Sequence, residues 1–393
     1  MQTLIISVWG NPKGWEPVKY AVEKKIDKES IELYQVEKEY KSTLGALMEA
    51  YPDAYVLLFV SSTLGTLSSN RSYSEILREV SSNVRENYLK NPDYCTDHKR
   101  VSLKVLPGVG RFKDNNIEKT FKGKIDAFRV AAFICSYEEI VKTNPDRVIL
   151  DISHGINYMP VYLRMSVYSA FLGFLALVNH QAEWHVYNSE PKEKGVNELE
   201  IMLIEDSRIK PEFAIHSLYR EFETLFDVNF KLIKSSFSKI PPECSHQWEE
   251  LNRKTIRLIK SAENGLIIPF IKTAQDLANT ETKPLESDLR KYSYLENCDG
   301  IVDICGNELR YLYAPNILST YIMAIVNSIK RVRNMGIDTF DGGYCISDLK
   351  KIAEGFVEKP ALTIVKNEIS QIEDRIELSK LAEAESAGIK FNV

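Results

Sequence analysis

The chain has 393 residues, with 50 Lys+Arg against 55 Asp+Glu and a formal net charge of −5. Hydrophobic residues at 44% and charged residues at 27% exclude wholesale disorder, and the length predicts two or three domains. The mildly acidic balance supplies no global cationic field, so any nucleotide or RNA site has to be a local patch.

In chain order, residues 4–8, 55–60, 101–105 and 148–152 are short apolar, β-branched runs, as expected of strands covered on both faces. Helical spacing lies between them. Ile76, Leu77, Val80, Val84 and Tyr88 mark a helix over 74–89, and Ile125, Phe128, Ala132, Cys135 and Ile140 mark one over 124–141. This alternation predicts right-handed βαβ crossovers and a Rossmann-like α/β domain over residues 1–210. Residues 159–178 are apolar over the length a bilayer needs, but Pro160 and Arg164 and the preceding core strands favour a buried helix. Residues 183–187 and 198–204 are expected to form a hairpin added at the sheet edge. From 211 to 393 the pattern turns helical, over 217–234, 247–261, 267–279, 317–335 and 363–387. An all-α second domain is expected there, with 298–303 as a short extended piece.

Six cysteines without a CxxC pair argue against a structural zinc site and a disulfide framework, and fit a reducing compartment. The opening MQTLIISVWGNP is too brief an apolar run for a signal peptide, so a cytoplasmic location is expected. No metal site and no cofactor are expected.

In an open doubly wound sheet, ligands bind beyond the carboxyl ends of the strands. Three predicted strand ends carry small polar residues: Gly10-Asn11-Pro12, Ser61-Ser62-Thr63, and Asp151-Ile152-Ser153-His154-Gly155-Ile156-Asn157. Glycines admit backbone N–H groups to an anion, hydroxyls add donors, and a helix opening near Asn157 aims its dipole at the same crevice. The combination suits a phosphate or a nucleotide base. A dinucleotide fingerprint is absent, since no GxGxxG follows the first strand, and a Walker loop is absent too.

Asp151-Ile152-Ser153-His154-Gly155 resembles the D-x-[ST]-H-G motif of the DxTHG group of CRISPR-associated proteins, and it sits, as there, between a strand and a long helix. The resemblance implies a CARF sensor domain over 1–210 joined to a helical HEPN domain over 211–393. It further implies a homodimer, or a multiple of dimers, holding a cyclic oligoadenylate across its dyad, with cyclic tetra-adenylate the expected size. The ligand-contacting residues would be Gly10, Asn11, Pro12, Ser61, Ser62, Thr63, Ser153, His154, Gly155, Ile156 and Asn157. His154 either bonds the ligand or only fixes the turn, and Asp151 is expected to cap the loop.

HEPN ribonucleases carry an R-x-x-x-x-H motif late in the helical domain. Here the corresponding run is Arg333-Asn334-Met335-Gly336-Ile337-Asp338, with Asp338 in the place of the histidine. None of the six histidines lies after residue 246. A carboxylate can serve as a base, but it is a poor acid at pH 7 and repels a phosphate. Arg310, Lys330, Arg331 and Arg333 with Tyr311 and Tyr313 are a candidate surface for single-stranded RNA. The resemblance implies a cyclic-oligoadenylate-activated, metal-independent endoribonuclease with no membrane or DNA partner. A catalytically degenerate ligand-binding protein and a ring nuclease remain as alternatives.

Overall fold

The computed structural model describes all residues except 27–29, 115–116, 156–157, 179, 193–194, 212, 223, 225–241, 281, 297, 299, 314, 316, 335–345, 358 and 376–393. Its frame is an eight-stranded sheet. The strands are β1 (Thr3–Trp9), β2 (Val18–Lys25), β3 (Ile31–Tyr40), β4 (Tyr55–Ser61), β5 (Val101–Leu106), β8 (Arg147–Asp151), β9 (Ala182–Ser189) and β10 (Glu198–Ile209), in the order β3-β2-β10-β9-β8-β1-β4-β5. Five neighbours, β9-β8-β1-β4-β5, run parallel.

Alternation along β1 sorts the two faces. Leu4, Ile6 and Val8 join one core cluster, while Ile5 and Trp9 join the other. The second face is covered by α1 (Thr43–Ala50) and α2 (Tyr73–Val84). Ser42 caps α1, and Ser72 with Glu75 forms a capping box on α2. The first face is covered by α3 (Asp126–Thr143) and α4 (Met159–Val178). An α/β N-terminal half with helices on both faces is as the sequence predicts.

α4 is long and apolar enough to cross a membrane, yet most of its length is buried inside the protein. It packs on the sheet and, on its other side, on the helix Leu318–Asn334. At Gly173 an added Cβ would stand 3.0 Å from Ala324 Cβ, so glycine permits the close approach of the two helices. The core under α4 therefore continues without a break into the second half, through Phe270, Ile322 and Phe356.

Four departures from the sequence reading have physical causes. The second half is not all helix. β11 (Val302–Cys305) and β12 (Glu308–Tyr311) form a hairpin there, and β12 pairs in parallel with β7 (Ile117–Lys122), itself paired to β6 (Gly110–Asp114). This second sheet, β11-β12-β7-β6, is made from both halves of the chain. The β9–β10 hairpin is not an edge, because β2 pairs with β10 and β3 closes the sheet beyond it. β2 and β3 escape a hydrophobicity reading because β3 is mostly exposed and charged. Short helices Lys283–Tyr292 and Ile346–Phe356 were also not anticipated. Of the helix expected over 217–234, residues 223 and 225–234 lie outside the described residues, as do 376–387 of the helix expected over 363–387.

Side chains lock the two halves where the sheets meet. Ser62, fully buried, shares a 2.9 Å hydrogen bond between its Oγ and Tyr311 Oη and accepts one of 3.0 Å from the Gly108 N–H. Tyr73 and Tyr294 pack on the Tyr311 ring. Ser62→Ala should cost about 1–3 kcal/mol, since it leaves buried groups of Tyr311 and Gly108 short of a partner. Equilibrium denaturation reads this directly. Tyr311→Phe should cost less, because Ser62 keeps its bond from Gly108.

Candidate functional site

β8, β1 and β4 are neighbours in the sheet, and Ser7 is in register with Asp151 and Trp9 with Val60. Their carboxyl ends therefore deliver the three predicted loops to one edge. Gly155 sits at φ +125°, a region that favours glycine. Gly10 is buried beside it, where an added Cβ would stand 3.4 Å from the Gly155 carbonyl carbon. The two glycines let the β1 and β8 loops touch backbone to backbone.

Asp151 faces inward. Its carboxylate is fully buried and accepts from Ser7 Oγ at 2.9 Å, Thr43 Oγ1 at 2.8 Å and the Ser153 N–H at 3.0 Å. It thus ties β8 to β1, to the first turn of α1 and to its own loop. Ser153 Oγ accepts from the Ser189 N–H at 2.9 Å. His154 Nε2 accepts from the Thr43 N–H at 3.3 Å, which places the ring proton on Nδ1. The imidazole stacks on Trp15 at 4.2 Å between centroids. Burial lowers the His154 pKa and the Asp151 charge opposes that, so the ring is neutral at pH 7. Ile156 and Asn157 lie outside the described residues.

The Ser61-Ser62-Thr63 loop is a single 3₁₀ turn, Ser62–Leu64, capped by Ser61 Oγ. Ser61 also accepts from Thr63 Oγ1 at 2.8 Å, and Ser62 is committed to Tyr311 and Gly108. Of the three, Thr63 alone lines open space. Two clefts flank the Asn11-Pro12 loop. One, of about 510 Å³, is lined by Trp15, Tyr20, Lys41, Ser153, His154 and Asn188, among others. The other, of about 430 Å³, is lined by Asn11, Lys13, Thr63, Tyr88, Lys113 and Lys119, among others. Trp15, Asn188, Lys113 and Lys119 were not singled out from the sequence. Trp15 lies in the loop between β1 and β2, soon after the polar turn that the sequence marks. The two lysines sit on strands that only the structure reveals. Among the described residues, no group of three His, Cys, Asp or Glu converges as metal ligands.

In the second half, Arg333 and Asn334 close the helix Leu318–Asn334, whose first turns pack on α4, while Asp338 lies outside the described residues. Of the expected basic, aromatic surface, the side chains of Arg331 and Arg333 lie outside the described residues, and three other members have partners of their own. Tyr311 is buried against Ser62, Arg310 is ion-paired with Glu308 on its own strand, and Lys330 Nζ donates to Asn327 Oδ1 at 2.8 Å and toward Thr282 Oγ1 at 3.4 Å. A β-strand places Arg310 and Tyr311 on opposite faces, so these two do not share one patch.

Residues 4–191 match the family model of the CRISPR system endoribonuclease Csx1, CARF domain. The CRISPR system endoribonuclease Csx1 of Methanocaldococcus jannaschii is 31% identical over 277 residues, 69% of this chain and 53% of that protein. The chain thus spans about half the length of the relative it matches. Among solved structures, Enterococcus italicus Csm6 bound to cyclic hexa-2'-fluoro-hexa-dAMP aligns over 98% of this chain and 97% of its own, at 10% identity and a TM-score of 0.27. At that score, fold and site have to be read from the chain's own geometry.

Gly155→Ala should cost about 1–3 kcal/mol by forcing a side chain into a positive-φ conformation, measured as a fall in melting temperature. A pH dependence follows from two histidines. Burial holds His185 down at about 4 and also lowers His154, so both favour the neutral form in the folded state. The His185 contribution is complete above the unfolded value of 6.5 and is lost as pH falls toward 4, and His154 acts in the same direction. Chemical denaturation between those pH values should show a stability slope that His185→Gln reduces.

Proposed function

Over residues 4–191 the chain belongs to the CARF-domain family of CRISPR-associated Csx1 proteins, and on that premise we propose that it is a cyclic-oligoadenylate-activated endoribonuclease of antiviral defence. The observation that carries the reading is the Asp151-to-Gly155 loop. Its aspartate is spent inside the fold, its glycine abuts Gly10, and two clefts open on either side.

The N-terminal CARF-like unit, residues 1–210, is the sensor, and cyclic tetra-adenylate is the activator. The helical unit, residues 211–393, is a HEPN-like effector. Exposed Val161 and Met165, one turn apart at the start of α4 beside the ligand loop, support pairing of two copies across a dyad. Ligand would favour one of two arrangements of the halves, and α4 bears on the helix that ends in Arg333. In the effector, the ribose 2′-hydroxyl attacks the adjacent phosphodiester and forms a 2′,3′-cyclic phosphate as the bond to the 5′-oxygen breaks. Water supplies the proton that the departing 5′-oxygen takes up, so the step needs no metal. Arg333 stabilises the charge developing on phosphate, Asn334 orients the strand, and Asp338 accepts the hydroxyl proton.

The absence of any histidine after residue 246 favours a second reading: a degenerate effector whose chain binds, or slowly cleaves, the cyclic nucleotide. Cleavage of a fluorescent single-stranded RNA, with and without cyclic tetra-adenylate, separates the readings. Wild type should cleave only with ligand, Arg333→Ala should be inert, and Asp338→His should be faster by about 10²–10⁴, the usual worth of a matched proton-transfer group. If every variant is inert while ligand still binds, the sensor-only reading takes over.

A further inference from the structure

The cleft of about 430 Å³ has a charge character of its own. Lys13 reaches it from the β1 loop, Lys113 from β6 and Lys119 from β7, and no Asp or Glu is among its lining residues. The larger cleft beside it mixes signs, with Glu16 and Glu190 against Lys41 and Lys192, and Lys192 is paired with Glu16 at 3.0 Å. In a chain of net charge −5, three lysines lining one cleft raise the local positive potential where an anion could sit. Lys119 is only 7% exposed, and its Nζ donates to the Gly65 carbonyl at 3.1 Å, which holds the ammonium against the β4-end turn. Asn11 and Asn83 add amides to the wall, and Tyr88 and Phe112 add aromatic surface.

We propose that this cleft is the phosphodiester subsite of the nucleotide ligand, with Lys13, Lys113 and Lys119 gripping backbone phosphate and Tyr88 or Phe112 flanking a base. The assignment rests on the cyclic-oligoadenylate reading and deepens it. It moves the anion contacts away from the Asp151 loop, where a carboxylate is buried and Ser153 and His154 already hold the fold. It moves them onto the β6–β7 hairpin, which no family motif in the sequence marks. The same hairpin carries β12 of the second half through the pairs Thr120–Glu308, Leu309–Phe121 and Lys122–Arg310. Phosphate held by Lys119 would therefore sit one strand away from the effector half.

The test is binding of labelled cyclic tetra-adenylate to the full chain at roughly 50 and 200 mM salt. Lys13→Gln and Lys113→Gln are exposed changes that should leave the melting temperature unaltered. Each should weaken binding about tenfold at the lower salt and reduce the slope of log affinity against log salt by about 0.7, one lost phosphate contact. Lys119→Gln should do the same and Lys119→Arg should restore it, which separates a charge contact from a packing defect. If the Lys13→Gln/Lys113→Gln double variant binds with wild-type affinity and slope, the subsite is elsewhere and the cyclic-oligoadenylate reading still stands. If wild type binds no cyclic tetra-adenylate at all, that reading falls and the subsite falls with it.

Discussion

α4 is held between two partners, and glycine against alanine sets its distance from one of them. A Cβ at Gly173 would stand 3.0 Å from Ala324 Cβ and 3.3 Å from the Tyr137 ring. Interiors packed at crystal-like density do not absorb an extra methyl at such a spot by deforming smoothly; neighbouring elements shift as bodies. One end of α4 emerges from the Asp151 loop, and the helix it touches ends at Arg333 and Asn334. The placement of the Asp151 loop relative to that helix end therefore depends in part on one helix–helix contact, beside the β7–β12 ladder and the Ser62–Tyr311 bond. The continuous core around it leaves no soft layer between the halves.

The Asp151 loop divides its labour in a way that chemistry dictates. A buried carboxylate is tolerable only when several donors meet it, and Asp151 has Ser7, Thr43 and the Ser153 N–H. That leaves no carboxylate facing a phosphate. The glycine that follows holds a backbone conformation closed to other residues, and the histidine between them accepts from Thr43 while stacking on Trp15. Most of the polar atoms in this five-residue stretch that the structure describes build the loop itself. The space in which a ligand could sit lies beside it.

Much of this was legible in the sequence, and the limits follow from physics. Core strands such as β1 and β8 are runs of apolar residues and stand out, as does α4. Asp151 could be assigned an inward role because an anion has no place against an anionic ligand. β3 could not be found by hydrophobicity, since most of its ten residues are exposed, and β6 and β7 are short and rich in charge. Tyr311 looked like part of an RNA surface because its burial is caused by Ser62 and Tyr73, both far away in the chain. Lys119 went unnoticed for the same reason: a lysine in a charged run reads as solvated until the strand that buries it is known. Sequence periodicity reports on an element's own faces and says nothing about which distant element covers them.

The β7–β12 ladder has a consequence for how the chain is made. Its parallel pairing joins Thr120 to Glu308, so β7 gains this partner only after the segment through Glu308 has left the ribosome. Until then the eight-stranded sheet can form, since its last strand ends at Ile209, but β7 presents an unpaired row of backbone donors and acceptors. A half-synthesised chain thus carries an open strand edge beside a finished sheet, the kind of template that captures strands from other chains. Charge along that edge, with Glu118, Lys119 and Lys122 in six residues, is the usual guard against such capture. Lys119, which lines the cleft, would then serve the nascent protein as part of that guard.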